Sequence, residues 1–212
     1  IVSTLLDTRD GRLFNGKILT TPHAPEQAVL EGVARLLAEH GVQPAEVRHV
    51  IHGTTLVANA LIERRGVKTG FLTTAGFRDV QEIGTELRHD TYDLFMRRPE
   101  PLVPRNLRLD VPERLRADGA VLTPLDEEAA RIAIRRLRDA GVQAIAICLL
   151  HGFLNPAHER RLAELVREEA PGLTLCLSAD LVPEIGEYER GSTTIANAYV
   201  QPVFERYLAR LG

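Results

Sequence analysis

The chain has 212 residues, 44% of them hydrophobic and 26% charged, with a net charge of −3; this is the balance of a globular protein able to bury one large domain or two small lobes. A slightly acidic chain with no basic run and no interleaved aromatics carries no footprint for nucleic acid, and its longest apolar run, over 144–150, is strand-sized rather than membrane-sized. Nothing at the N-terminus resembles a signal peptide, and Cys148 and Cys176 lie in apolar runs without CxxC spacing, so they read as buried free thiols of a reducing cytoplasm.

Residues 1–6, the Asp10-Gly11 pair and residues 13–19 read as a β-hairpin. Ile1 already lies in a strand, so the chain is expected to begin inside a domain. Over 25–39, Val29, Leu30, Val33, Leu36 and Leu37 share one face and Gly41 stops the pattern, which predicts an amphipathic helix. Val47, Val50 and Ile51 lack helical spacing and Gly53 ends their run, which predicts a short strand over 47–51. Leu56, Val57, Ala60 and Leu61 return to helical spacing, so a helix begins near Thr54 or Thr55. A strand over 67–73 and a short polar segment ending at Gly84 follow. Hairpin, helix, strand, helix, strand implies an α/β unit over 1–84, a mixed sheet with flanking helices.

From 85 to 118 periodicity fails. Pro99, Pro101, Pro104 and Pro112 break any helix, and seven arginines (88, 97, 98, 105, 108, 114 and 116) crowd the stretch, which reads as an extended connector or an interface. A second α/β unit is expected over 119–212. Thr123, Pro124 and Asp126 look like a cap, a first-turn proline and a capping-box acid ahead of a helix carrying Ala130, Ala133, Ile134 and Leu137. A fully apolar strand over 144–150, a helix from Asn155-Pro156 through Glu169, and a strand over 173–177 follow, the order of a parallel lobe. A long helix, with Ser192 as its expected N-cap, closes the chain.

Two polar knots stand at helix starts. In His52-Gly53-Thr54-Thr55, with Asn59 one turn on, a strand–glycine–helix turn would leave backbone N–H groups and two hydroxyls facing a phosphate or carboxylate. The plainer alternative is that Thr54 caps the helix and His52 is a satisfied near-core histidine. Glu187-Tyr188-Glu189-Arg190-Gly191-Ser192-Thr193-Thr194 is the second knot, where carboxylates could position a nucleophile or pair with Arg190. Both helices read as following apolar strands, so the two knots are expected close together in space, along one sheet edge. Arg78 could clamp an anionic group, or could pair with Asp79 at the surface. His49 and His52 would point to opposite faces of a strand, and His151 and His158 lack a partner at zinc spacing, so no metal site is expected from this chain alone.

Read together and in order, HGTT, NALIERRG, TTAGFRDVQEIG, YDLFMRRPEPLVPR, VPERL, CLLHGFLNPAHERR and EYERGSTTIANAYVQP resemble the N-terminal region of the hydantoinase A/5-oxoprolinase family. The resemblance runs the length of the chain. It implies part of the N-terminal lobe of an actin-like ATPase (ribonuclease H-like) fold. It also implies an ATP-dependent hydrolase of cyclic amides that phosphorylates the amide oxygen, with ATP and Mg2+ in the full-length enzyme and a hydantoinase B-type subunit or domain as partner. The family's carboxylase branch, acting on acetone or acetophenone, and a catalytically silent partner-binding module are the alternatives. The glycine-rich phosphate motifs of the family are missing from this chain, so no ATPase activity is expected of it in isolation. By resemblance, Glu187 and Arg190 are candidate catalytic residues; His52, Gly53, Thr54, Thr55, Asn59, Arg78, Ser192 and Thr193 are candidate contacts for substrate or phosphate. Gly191 stands where relatives often carry Thr, and Gly152 where many have Ser.

Overall fold

The computed structural model describes residues 1–21, 23–85, 90–95 and 99–211. Arg88, Arg97 and Arg98 of the arginine-rich stretch lie outside the described residues. The chain divides into two compact units, Ile1–Leu56 with the residues from Phe204 on, and Val57–Val203.

In the first unit, β1 (Val2–Leu6) pairs antiparallel with β2 (Leu13–Lys17), Val2 opposite Lys17 and Leu6 opposite Leu13. Gly11, at φ 75°, supplies the left-handed residue that the turn needs. Helix α1 (Pro25–Glu39) lays Ala28, Val29, Leu36 and Leu37 inward, whereas Leu30 and Val33 of the expected face stand exposed, and Leu36 rests against Gly16 of β2. The strand expected over 47–51 does not form. After one 3-10 turn over Pro44–Glu46 the chain runs on without a ladder, and Ile51 is 98% exposed. An apolar run becomes a strand only where a neighbour takes its N–H and C=O groups. Among the described residues no strand pairs with this run, and Val47 N donates to Pro44 O of the 3-10 turn instead.

The second unit is built on α2 (Leu56–Ile62), β3 (Thr69–Thr74), α3 (Val80–Ile83), β4 (Arg108–Val111), β5 (Arg114–Leu115), β6 (Val121–Thr123), α4 (Glu127–Asp139), β7 (Ala144–Cys148), α5 (Ala157–Glu169), β8 (Thr174–Leu177), α6 (Ser178–Leu181) and the start of α7 (Glu187–Leu211). Its sheet runs β4-β3-β7-β8, parallel throughout. Burial on both faces explains the unbroken apolar run of β7. A Cβ on Gly70 would meet Leu137 of α4, whereas the ring of Phe71 lies against Gly191 of α7. Neighbouring strand residues face opposite ways, so α4 and α7 cover opposite faces. Helix α5 lies beside α4, with Arg131 and Arg135 on Glu169 and Arg161 on Glu127.

The sheet draws its strands from all three segments expected from the sequence. The stretch read as a connector supplies β4, whose Leu109 and Val111 are buried beside Leu107 and Arg108, and then β5, which pairs with β6 of the following segment. Two helix starts also differ. Asp126 itself caps α4, its Oδ1 accepting from Ala129 N at 3.0 Å. Helix α7 begins at Glu187, so Ser192 is a residue of its second turn rather than a cap. Among the described residues no helix is long and apolar enough to cross a membrane.

Candidate functional site

Strand β3 is followed by chain leading to β4 on one side, and β7 by chain leading to β8 on the other. Between their carboxyl ends the connections part, and parallel sheets hold ligands at such switch points. A recess opens there, walled by Thr73 of β3, Phe77 and Gln81 of the following segment, Cys148 and Leu150 at the end of β7, and Glu187 at the start of α7. It is narrow, of the size of a water molecule. Burial pushes the Cys148 thiol up to about 11, against the nearby charge of Arg190, so this wall is a neutral thiol.

Two buried polar clusters hold the strand ends that frame the recess. In one, Glu159 of α5 is fully buried and its carboxylate accepts from Leu149 N at 2.9 Å, Ser178 Oγ at 2.6 Å, Ala179 N at 2.9 Å and Arg190 Nη2 at 3.2 Å. Arg190, 1% exposed, also donates to Leu149 O at 3.0 Å and Val182 O at 3.3 Å, and its guanidinium lies 5.5 Å from the centre of the Phe153 ring. Burial pushes the Glu159 carboxyl up; the hydrogen bonds and Arg190 pull it down. In the other cluster, Leu150 N donates to Thr74 Oγ1 at 2.9 Å, and Thr74 donates to the buried carboxylate of Glu113. The second oxygen of Glu113 lies 2.7 Å from His158 Nδ1. The amides of Leu149 and Leu150, which a ladder end would leave bare, are thus satisfied by side chains.

The residues singled out from the sequence divide between the units. In the first, His52 Nε2 lies 2.6 Å from the Tyr207 hydroxyl, which also bonds the Thr54 side chain. Thr54 Oγ1 accepts from Leu56 N, the first residue of α2, at 3.2 Å; the bond spans two residues, an ST turn ahead of the helix rather than the N-cap bond of the plainer reading. Gly53 and Thr55 complete this turn and are exposed, and Asn59 is an exposed residue of α2 in the second unit. Also in the second unit, Glu187 borders the recess, Arg190 is held in the Glu159 cluster, Ser192 is half-buried and Thr193 exposed on α7. Arg78 is half-buried next to the recess segment, and Asp79 pairs with Arg105 rather than with Arg78, at 2.8 and 2.9 Å. The premise for gathering both knots along one sheet edge is not met, because no strand precedes the His52 turn. Among the described residues no three His, Cys, Asp or Glu side chains converge as a metal site.

Gln81, Glu113 and Glu159 are not among the residues that the sequence singles out, and His158 stands there only as a histidine without zinc spacing. For Glu159 the signal was present: Leu162, Ala163 and Val166 follow it at three, four and seven residues, so an acid sits on the apolar stripe of α5. Arg190 likewise precedes the buried Thr194 and Ala198 at four and eight. Glu113 and His158 are 45 residues apart, and only the parallel sheet brings them together.

The family described as the hydantoinase/oxoprolinase N-terminal region matches residues 4–170. Caprolactamase subunit alpha of Pseudomonas jessenii is 38% identical over 98% of this chain and 31% of its own length. The crystal structure of the ATP-dependent caprolactamase of that organism superposes with a TM-score of 0.87, over 98% of this chain and 31% of that one. The acetone carboxylase beta subunit of Xanthobacter autotrophicus is 30% identical over 99% of this chain and 32% of its own. The nucleotide-free structure of an acetone carboxylase superposes with a TM-score of 0.89 at 29% identity, over 99% of this chain and 32% of that one. The chain thus spans about a third of these relatives.

Proposed function

This chain belongs to the hydantoinase/oxoprolinase family, and from that premise we propose that it is the N-terminal part of an ATP-dependent hydrolase that opens cyclic amides. In this reading ATP, with Mg2+, phosphorylates the amide oxygen before ring opening, in the cytoplasm and beside a hydantoinase B-type subunit or domain. The recess residues do not fit a triphosphate: no Lys or Arg is among them. We therefore assign ATP and its metal no place in this recess and derive no step through them.

The observation that supports a hydrolase is the recess. A water-sized space with a carboxylate in its wall suits one attacking water, with Glu187 accepting its proton and Gln81 and Thr73 available to orient it. Arg190 acts on this space indirectly, by fixing Leu149 and the start of α7. By resemblance, His52, Gly53, Thr54, Thr55 and Asn59, and separately Arg78, Ser192 and Thr193, are proposed as contacts for substrate or phosphate. The carboxylase branch of the family is the rival reading, and a silent partner-binding module the other. A substrate panel on the full-length protein with its partner subunit separates the three. ATP cleavage dependent on ε-caprolactam, 5-oxoproline or hydantoin supports the hydrolase. Cleavage dependent on a ketone with bicarbonate moves the assignment to the carboxylases, and no turnover with any of them leaves the silent module.

A further inference from the structure

Position 191 has no side chain, and the space a side chain would take is already filled. A Cβ built on Gly191 overlaps Gln81 Nε2 and comes within 3.4 Å of Phe71 Cζ. Gly191 lies inside α7, where a glycine weakens the helix relative to alanine. Something other than local conformation is served by it. Gln81 comes from α3, on the chain that leaves β3, and its amide reaches over Gly191 to donate to Tyr188 O at a long 3.4 Å. The same Gln81 lines the recess together with Glu187.

We propose that Gly191 is the seat of Gln81 and that the two form a positioning pair, setting the width of the recess for the single water that Glu187 acts on. With glycine at 191 the amide rests on the helix and the recess keeps its space. With glutamine at 81, as in this chain, a side chain at 191 drives the amide off its seat, and the recess beside it is where a flexible glutamine end can go; a relative with Thr at 191 needs another residue or rotamer at 81. Phe71, on the far side of the seat, is 2% exposed and has no room to yield. The inference rests on the hydrolytic reading of the recess.

The test is a double-mutant cycle in the full-length protein with its partner subunit, using Gly191→Ala, Gln81→Ala and the pair, with ε-caprolactam and ATP as substrates. Gly191→Ala is expected to lower kcat at least tenfold with KM for the lactam within twofold and thermal unfolding unchanged or raised. Adding Gln81→Ala is expected to return kcat to the level of Gln81→Ala alone, because the displaced amide is then gone. Equal losses from Gly191→Ala with and without Gln81, or a loss carried by KM, would overturn the proposal. An independent readout is the Gln81 side-chain amide signal in an NMR spectrum of the full-length protein, wild type against Gly191→Ala. A signal that does not move overturns the seat, whatever the kinetics. A signal that moves, in a protein that opens no lactam, sinks the hydrolytic reading and the width rule resting on it, and leaves the seat standing as a packing fact.

Discussion

Glu159 and Arg190 are both removed from water, and each is worth keeping only while the other is present. Their mutual contact is joined by hydrogen bonds from Ser178, Leu149 and Ala179, so nearly every polar atom in the cluster is matched. Removing one member of such a buried pair strands the other, at a cost of about 3–5 kcal/mol. Glu159→Ala and Arg190→Ala are therefore expected to lower the urea midpoint of unfolding by that equivalent, and Glu159→Leu combined with Arg190→Met to recover much of it. Either single variant losing under about 1 kcal/mol would show that the pair is not held as described. Cys148 gives a second check at this scale. With burial pushing its thiol up to about 11, it stays protonated at pH 8, and iodoacetamide followed by mass spectrometry should leave it unmodified in the native protein and label it in urea. The acid in the stripe of α5 shows what was legible here: the buried charges advertise themselves as misfits in an apolar pattern, but nothing local says which misfit pairs with which.

Helices α4 and α5 are joined along their outer edge by arginine–carboxylate forks, and Glu169 accepts from both Arg131 and Arg135. These hold its carboxyl well down, to about 2 from an ordinary 4.5. A carboxyl depressed in the folded state adds stability above its unfolded pKa and loses it as pH falls toward the folded one. The stability difference between wild type and Glu169→Gln should thus be full above about pH 4.5 and shrink steadily toward pH 2, as read by urea midpoints across that range. A difference that grows on acidification would reverse the assignment. At this scale the long periodic elements were legible: α1, α4 and α5, the apolar β7, and the hairpin fall where spacing puts them. The failures share one cause. The run at 47–51 has strand composition and no ladder partner, while β4 has a partner and sits amid prolines and arginines that mask its Leu107, Leu109, Val111 alternation. Whether a short segment is a strand is decided by its neighbours in the sheet, which a local pattern does not contain.

Across the molecule, the parallel order β4-β3-β7-β8 turns residues from three separate motifs into one recess. The individual motifs carried the family; the recess could not be read from them, because it exists only where the connections of β3 and β7 part. The central claim is that Glu187, at the mouth of α7, serves the chemistry of that recess. It is tested most directly by the steady-state kinetics of Glu187→Gln in the full-length protein with its partner subunit, on ε-caprolactam and ATP. A proton acceptor contributes about 10²–10⁴-fold, so kcat is predicted to fall by that factor, with KM for the lactam little changed and the unfolding midpoint preserved. Turnover within about threefold of wild type would contradict the claim, since a general base removed outright leaves no such remainder.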